Sequence, residues 1–369
     1  MLFEKRARYD PFKVRERLQR QKVAYDASKL TPYVLFPLDQ RWLYYETKGK
    51  LLNESRPELS ANLKENEFLE AVPQPRRYSE IRPILTSLAF DLHLHDRGSV
   101  GFPSEVLTPV ESNGHLFEES NPVNRANVNE AVWAALGTAW GLTGSRDGED
   151  AKRLVRSLFR ASLAICHAPQ YEADHKDSLA ADWAHIPIPK DRDAFADLVA
   201  AGGDIAVLLD PAAGATATLK RLLGADAASL GAIKCVGGGH VAAGQLTLTY
   251  SYFGAAQGRW RPRSSQSFEA AHEGWGQAGD LYLNENVFLS NVPERLWRYE
   301  LGGYPVLKKW LGYRQSKRRG GDPLSFQEVE FLRGIVQRLA ALLVLHPALD
   351  DLYERAIANP FRLRDLDLL

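Results

Sequence analysis

The residues with the most evident capacity for chemistry are Asp91-Leu92-His93-Leu94-His95-Asp96. On a strand, side chains two positions apart share a face, so His-x-His can offer two imidazoles to one metal ion. A zinc-like site also needs further ligands and groups that orient them. His115, His167, His175, His185, His240 and His272 each lie outside any paired motif. The plainer reading is a strand whose polar face carries His93 and His95. A metal-dependent hydrolase using His93, His95 and Asp96 stays as an alternative, with metal analysis as its test. Cys166-His167 pairs a thiol with a base but lacks an assigned orienting partner, so a buried structural cysteine is expected. Gly237-Gly238-Gly239-His240 has no following Lys-Ser/Thr and reads as a strand bend, not a phosphate loop. Adenine methyltransferases carry an Asn/Asp-Pro-Pro-aromatic motif. Asn121-Pro122-Val123 and Asn359-Pro360-Phe361 each lack its second proline. No glycine-rich strand–turn–helix suits S-adenosylmethionine. These residues predict no catalytic constellation, no metal and no cofactor.

Two basic stretches stand out instead. From Gly302 to Gly320 the chain carries Lys308, Lys309, Arg314, Lys317, Arg318 and Arg319, with Tyr304, Trp310 and Tyr313 and no acid. Gly258 to Ser265 carries Arg259, Arg261 and Arg263 around Trp260, again without an acid. Clustered cations neutralise phosphates and make binding steeply salt-dependent. Arginine also reads guanine edges bidentately. A solvated surface loop is the bland alternative. Lys plus Arg and Asp plus Glu both number 46, so the case for a polyanionic partner rests on these patches alone.

The elements that must position them read as a mixed chain. With 369 residues, 45% hydrophobic and 25% charged, it has the material for folded units of ~100–200 residues each. Cys166 and Cys235 are too few for a disulfide framework and fit a reducing cytosol. The start of the chain lacks a signal-peptide core. The longest apolar run, Leu339 to Leu345, falls short of the ~20 residues of a membrane helix. A cytoplasmic protein with no membrane partner is expected.

Residues 10–27 read as a basic helix with Lys13, Arg15, Arg17, Arg20 and Lys22. Tyr33 to Tyr45 reads as two short strands meeting at Pro37. Ile84 to Phe90 and Asp91 to His95 read as further strands. Residues 127–223 switch to helical spacing, with Ile186-Pro187-Ile188-Pro189 extended. Ala194 to Ala232 predicts helices joined by glycine turns. Leu246, Leu248, Tyr250 and Tyr252 alternate with polar residues as in a half-exposed strand, and Leu281 begins another. Ser325-Phe326-Gln327-Glu328 has the form of a capping box opening a helix with Val329, Leu332, Val336, Leu339 and Leu343 on its apolar stripe. The fold class expected is α+β: β-containing recognition lobes at 1–110 and 233–369 flanking a mainly helical segment at 111–232, closed by an amphipathic helix.

Several segments resemble the C-terminal specificity region of Type ISP restriction-modification enzymes, an adenine methyltransferase family. Phe36-Pro37-Leu38-Asp39-Gln40-Arg41-Trp42-Leu43-Tyr44-Tyr45 is similar to its Arg-Pro-Phe-Asp-x-Arg-Trp-x-Tyr-Tyr motif, with Phe36 and Leu38 replacing the arginine and phenylalanine. Ser55-Arg56-Pro57-Glu58-Leu59 resembles its Arg-Pro step. Phe90-Asp91-Leu92-His93 resembles the segment leading to a Phe-Pro, here Phe102-Pro103. Ile165 to Tyr171 resembles Leu-His-Ser-Pro-x-Tyr, and Ile186 to Pro189 resembles Arg-Ile-Pro. Tyr299 to Arg314 is similar to the Gly-Gly-Tyr-x-Val-Leu-x-Lys-Trp-Leu signature. The matches keep family order over nearly the whole chain.

That resemblance implies sequence-specific binding of duplex DNA, non-catalytic by itself. A separate methyltransferase and helicase-nuclease polypeptide, or an upstream segment, would supply the chemistry. Lys308, Lys309, Arg314, Lys317, Arg318 and Arg319 are the expected phosphate contacts. Arg259, Arg261, Arg263 and Arg41 are expected at phosphates or base edges. Family motifs mark scaffold, so Gly302-Gly303 and Trp310 are expected as turn and core. The altered first motif and the Ala/Gly-rich middle suggest a diverged member, such as a fragment of a split gene. The principal alternative is a scaffold that docks a methyltransferase partner and binds little DNA.

Overall fold

The computed structural model describes residues 24–46, 65–73, 82–96, 98–108, 123–249, 260–267, 274–315 and 321–366, with 16, 18–20, 22, 52 and 62–63. The expected basic helix at 10–27 lies mostly outside the described residues.

The N-terminal part is a set of small sheets. Strands β1 (Leu30–Phe36), β2 (Asp39–Tyr44), β3 (Phe68–Ala71), β4 (Ile84–Thr86), β5 (Ala89–Phe90), β6 (Val100–Pro103), β7 (Glu105–Thr108) and β8 (Val123–Ala126) form them. Their orders are β2-β1-β5, β4-β3-β6 and β7-β8. The first hairpin bends at Pro37, as its sequence requires, because proline cannot donate to a ladder. Leu38 follows at φ 61°, an uncommon conformation for a branched side chain, and is buried there.

Helices α1 (Glu130–Trp140), α2 (Glu149–His167), α3 (Pro169–Ala181), α4 (Arg192–Leu209), α5 (Thr216–Leu223) and α6 (Asp226–Ser229) follow. A second sheet comes next, made of β9 (Ala232–Cys235), β10 (Trp260–Ser267), β11 (Gln277–Tyr282) and β12 (Val287–Ser290), in the order β10-β11-β12-β9. The chain then makes α7 (Glu294–Trp297), the two-stranded β13 (Glu300–Leu301) and β14 (Tyr304–Pro305), α8 (Val306–Tyr313) and α9 (Phe326–Ala358). The fold is therefore α+β, with small sheets on either side of a helical stretch and a long helix near the end.

Helix α9 organises the core. Ser325 and Glu328 close a reciprocal capping box: the Ser325 hydroxyl accepts from the Glu328 N–H at 3.1 Å, and the Glu328 carboxylate accepts from the Ser325 N–H at 2.9 Å. Its apolar residues pack on α2, α3, α4 and α5. Length and composition alone would let this helix cross a bilayer, yet 61% of its most apolar window is buried inside the protein. Arg338 reaches from α9 to the end of α4. Its guanidinium donates to the carbonyls of Val207, Leu208, Asp210 and Ala213 at 2.6–3.1 Å, satisfying groups that a helix terminus leaves bare.

Helices α2 and α4 approach very closely. A Cβ on Gly202 would sit 1.8 Å from the Arg160 carbonyl oxygen. Gly202 is therefore a contact point inside a continuous helix, where glycine turns had been expected. The outer face of α2 grips the N-terminal sheets: Arg160 forks onto the Glu67 carboxylate at 2.7 and 3.0 Å, and Arg156 and Lys152 reach Glu105 at 2.6 and 3.1 Å.

Other expectations also change. Asp91 to His95 is a turn and not a strand, because the Asp91 carboxylate accepts the His93 N–H at 2.8 Å and its carbonyl accepts the Leu94 N–H at 2.9 Å. Leu246 and Leu248 are buried in alternation, but they join no sheet. The Asn284 amide donates instead to the carbonyls of Gln245 and Thr247 at 2.7 and 2.9 Å. Tyr250 and Tyr252 lie outside the described residues. Leu281 sits near the end of β11, not at the start of a strand.

Glu70 on β3 is fully buried, and among the described residues its carboxylate has one hydrogen-bond partner, the Ser99 hydroxyl at 2.9 Å. Burial pushes its carboxyl up to about 8, so the folded state holds a proton that the unfolded state releases near 4.5. Its contribution is intact below the unfolded value and is lost as pH rises through the folded one. Glu70→Gln should flatten that loss: urea unfolding should find the variant the more stable by about 1–3 kcal/mol at pH 9 and nearly equal at pH 4. Parallel pH profiles for the two proteins would contradict this.

Candidate nucleic-acid interface

The two segments with the strongest motifs meet in space. Asp39, the first residue of β2, is fully buried. Its Oδ1 accepts from Arg314 Nη2 at 2.6 Å, and its Oδ2 accepts from Arg41 Nε and Nη2 at 3.0 and 2.9 Å. Arg314 is the C-cap of α8, so one carboxylate joins the first hairpin to a helix end 275 positions away. A carboxylate so enclosed is tolerated only because charged donors occupy both oxygens. Arg314 also lies flat on Trp310, with its guanidinium carbon 3.7 Å from the ring centre. Trp310 itself is fully buried on the side of α8 facing the core.

The turn between β13 and β14 completes the junction. Gly302 and Gly303 have φ of 57° and 84°, the left-handed region that glycine enters without strain. A Cβ on Gly302 would lie 2.8 Å from the Leu94 carbonyl oxygen and 3.3 Å from the Pro37 ring. The Gly302 carbonyl accepts the Asp96 N–H at 2.8 Å, and the Tyr304 hydroxyl donates to the His93 carbonyl at 3.0 Å. Turn and core are thus the roles these residues take.

Beside this junction Lys309 lies among aromatic faces. Its ammonium is 4.0 Å from the Tyr304 ring centre, 5.5 Å from Tyr313 and 5.9 Å from Phe36. Burial holds its pKa below the ordinary lysine value. Arg41 leans over Tyr313 at 5.9 Å while held by Asp39. Lys308 is half-buried on α8 and has contacts of its own. Next to Arg41 on β2, Trp42 is 68% exposed. Sequence reasoning counted Trp42 only as part of a motif. No alternation marks it, because the residues on either side of it along β2 are half-buried.

The remaining expected contacts divide. Arg314 is withdrawn from the set a phosphate could reach, because it is buried and its charge is committed to Asp39. Arg263 is half-buried on β10, and its guanidinium forks onto Asp280, whose carboxylate also takes the Asn291 N–H at 3.0 Å. It pins the second sheet. Arg261 is exposed on the same strand, its guanidinium 4.0 Å over the Tyr282 ring. Arg259, Lys317, Arg318 and Arg319 lie outside the described residues. The structure thus brings Arg41 and Lys309 together on one junction and leaves Arg261 on another sheet.

The catalytic temptations come apart. His93 is exposed, whereas His95 is fully buried with Nε2 3.4 Å from the Arg82 carbonyl, so the two imidazoles share no face. Among the described residues no group of three His, Cys, Asp or Glu could hold a metal ion. Cys166 is buried, which pushes its thiol up to about 12, and His167 turns its Nε2 to the Pro83 carbonyl at 3.0 Å. The pair is not an activated nucleophile.

Removing Asp39 should strand the Arg314 charge. Asp39→Ala should cost about 3–5 kcal/mol of unfolding free energy in urea, and adding Arg314→Met should recover most of it. A loss under about 1 kcal/mol, the scale of an exposed ion pair, would contradict the buried link.

Comparison with curated protein sequences returned no match. Several solved structures resemble the chain, among them the following three. One is described as a DrdV–DNA complex (14% identity, TM-score 0.51, covering 95% of this chain and 29% of that one). A second is the ATP-dependent Type ISP restriction-modification enzyme LlaBIII bound to DNA (15%, 0.49, 92% and 19%). The third is a nuclease-deletion mutant of the Type ISP enzyme LlaGI with a DNA substrate mimic (13%, 0.49, 90% and 25%). The chain thus spans between 19% and 29% of each of these relatives, and the similarity to DrdV is one of fold. The family described as the Type ISP C-terminal specificity domain matches residues 5–330, which include both halves of the Asp39 junction. The chain belongs to that family.

Proposed function

We propose that this chain recognises a short sequence in duplex DNA for a Type ISP-like restriction-modification system and performs no chemistry itself. The observation that carries this reading is the match to a specificity-domain family over 326 positions, residues 5–330. The DNA named with the DrdV structure, which shares this fold, supports duplex DNA as the ligand. Methyl transfer and cleavage then belong to a methyltransferase and a helicase-nuclease, on the same polypeptide or on another. A restriction-modification role on duplex DNA fits a cytoplasmic location.

In this reading the face beside the Asp39 junction meets the duplex. Arg41 is held at a fixed orientation, which suits bidentate contact with a phosphate or a guanine edge. Trp42 offers an exposed ring next to it. Lys308, Lys309 and the 317–319 cations supply phosphate contacts, with Arg261 on the second sheet and Arg259 just before it in sequence. Lys309 stays close to its aromatic neighbours, so it acts as a placed point charge.

The test is a salt titration of the chain on a randomised duplex pool, with sequencing of the retained DNA. A steep fall of affinity with salt and one enriched asymmetric motif is the expected result. Retention without enrichment would contradict recognition and leave a generic DNA-associating protein, and no retention at low salt would favour the docking scaffold. Arg41→Ala should then weaken the enriched duplex by about 1–3 kcal/mol and relax one position if it reads a base. A uniform loss across all duplexes would assign it to phosphate. Trp42→Ala should weaken binding while leaving the thermal midpoint unchanged.

A further inference from the structure

The turn from Asp91 to Asp96 stands between Arg41 and Lys309. On one side, Tyr33 lies directly opposite Arg41 in the β1–β2 register, and its hydroxyl donates to the Asp91 carboxylate. On the other, Tyr304 carries Lys309 on its ring face at 4.0 Å, and its hydroxyl donates to the His93 carbonyl at 3.0 Å. Backbone bonds tie the same turn to both halves of the junction. The Asp91 N–H donates to the Val34 carbonyl at 3.0 Å, and the Asp96 N–H to the Gly302 carbonyl at 2.8 Å. Leu94 and His95 are fully buried beneath it.

Against these fixed points, the side chains of Leu92 and His93 project. Leu92 is 52% exposed, and His93 beside it is exposed. An exposed leucine is ordinary by itself. This one is carried on a turn tied from both sides, between two cations, with an imidazole next to it. The formal charges on the described residues of the turn are the carboxylates of Asp91 and Asp96, which repel phosphate. Asp96 is also near enough to Lys309 to favour its charge. What the turn offers outward is therefore an apolar branch and a ring that can both donate and accept. Those groups suit base edges. In the major groove the thymine methyl is the one apolar group, and a width of about 12 Å admits a turn.

We propose that the Asp91–Asp96 turn enters the major groove, where Leu92 packs on a thymine methyl and His93 meets a neighbouring base edge. This rests on the reading of the chain as a recognition module for duplex DNA. Arg41 and Lys309 then take phosphates on either side of the groove that the turn enters.

Selection from a randomised duplex pool, run in parallel on the full chains of wild type, Leu92→Ala and His93→Ala, tests it. Leu92→Ala should lose about tenfold of its preference at one T·A pair, the scale of a single base contact. His93→Ala should relax a position within the same few base pairs. Uracil in place of that thymine should weaken wild type about as much, and Leu92→Ala no further. Affinity for unselected duplex, and its salt dependence, should stay as in wild type because the phosphate contacts are untouched. The thermal midpoints should also stay, since the ties of the turn run through its backbone and Asp91. Ile357→Ala, which removes an exposed apolar side chain at the end of α9, is the control and should return the wild-type motif. The proposal is overturned if either turn variant returns the wild-type motif unchanged, or loses affinity uniformly across all sequences. Relaxation of Leu92→Ala at G·C pairs alone overturns it as well. A wild-type selection with no enriched motif is a different failure, because it removes the recognition reading on which the role of the turn depends.

Discussion

The Asp39 carboxylate is the constraint from which the N-terminal architecture follows. It is buried, and its two oxygens are divided between Arg314 and Arg41. A buried pair of this kind adds little net stability over an apolar replacement, because desolvation offsets much of the attraction. Its strength lies in intolerance of misplacement. Any shift of the β1–β2 hairpin along α8 would leave a charge in the interior without a partner. Phe36 against Tyr313 at 5.2 Å and Tyr304 at 6.3 Å, and Gly302 against the Leu94 carbonyl, then fill the space that the ion pair aligns.

That alignment explains why basic residues near the junction differ in kind. Arg314 is consumed by the link. Arg41 is half-exposed and oriented by the same carboxylate, so its remaining donor face has a defined direction. Lys309 is held by ring faces, with Asp96 near enough to favour its charge. A surface built this way presents few cations, each at a set position. Such an arrangement suits the reading of a sequence better than a diffuse positive patch, and it fits a chain with no net charge.

Much of this was legible in the sequence where local chemistry decides structure. Pro37 marked the hairpin bend, Ser325 and Glu328 marked the start of α9, and the glycine pair at 302–303 marked a turn. Other features depend on partners far along the chain. Arg314 looks like any cation of a basic run until Asp39 is placed beside it, and no spacing rule links positions 275 apart. Gly202 looks like a helix breaker until Arg160 on the neighbouring helix shows why nothing larger fits. The Asp91 to His95 segment alternates like a strand, but a carboxylate that captures the local N–H groups makes it a turn. The second sheet was only partly legible because Leu246 and Leu248 are buried without joining it.

The most direct test of this account is hydrogen–deuterium exchange of the full chain with and without a duplex carrying its enriched motif. Protection should concentrate on residues 33–45 and 304–314, the two sides of the Asp39 junction, with a lesser effect on β10. Protection confined to other segments, with both sides of the junction exchanging as in the free protein, would contradict the claim that this junction presents the recognition face.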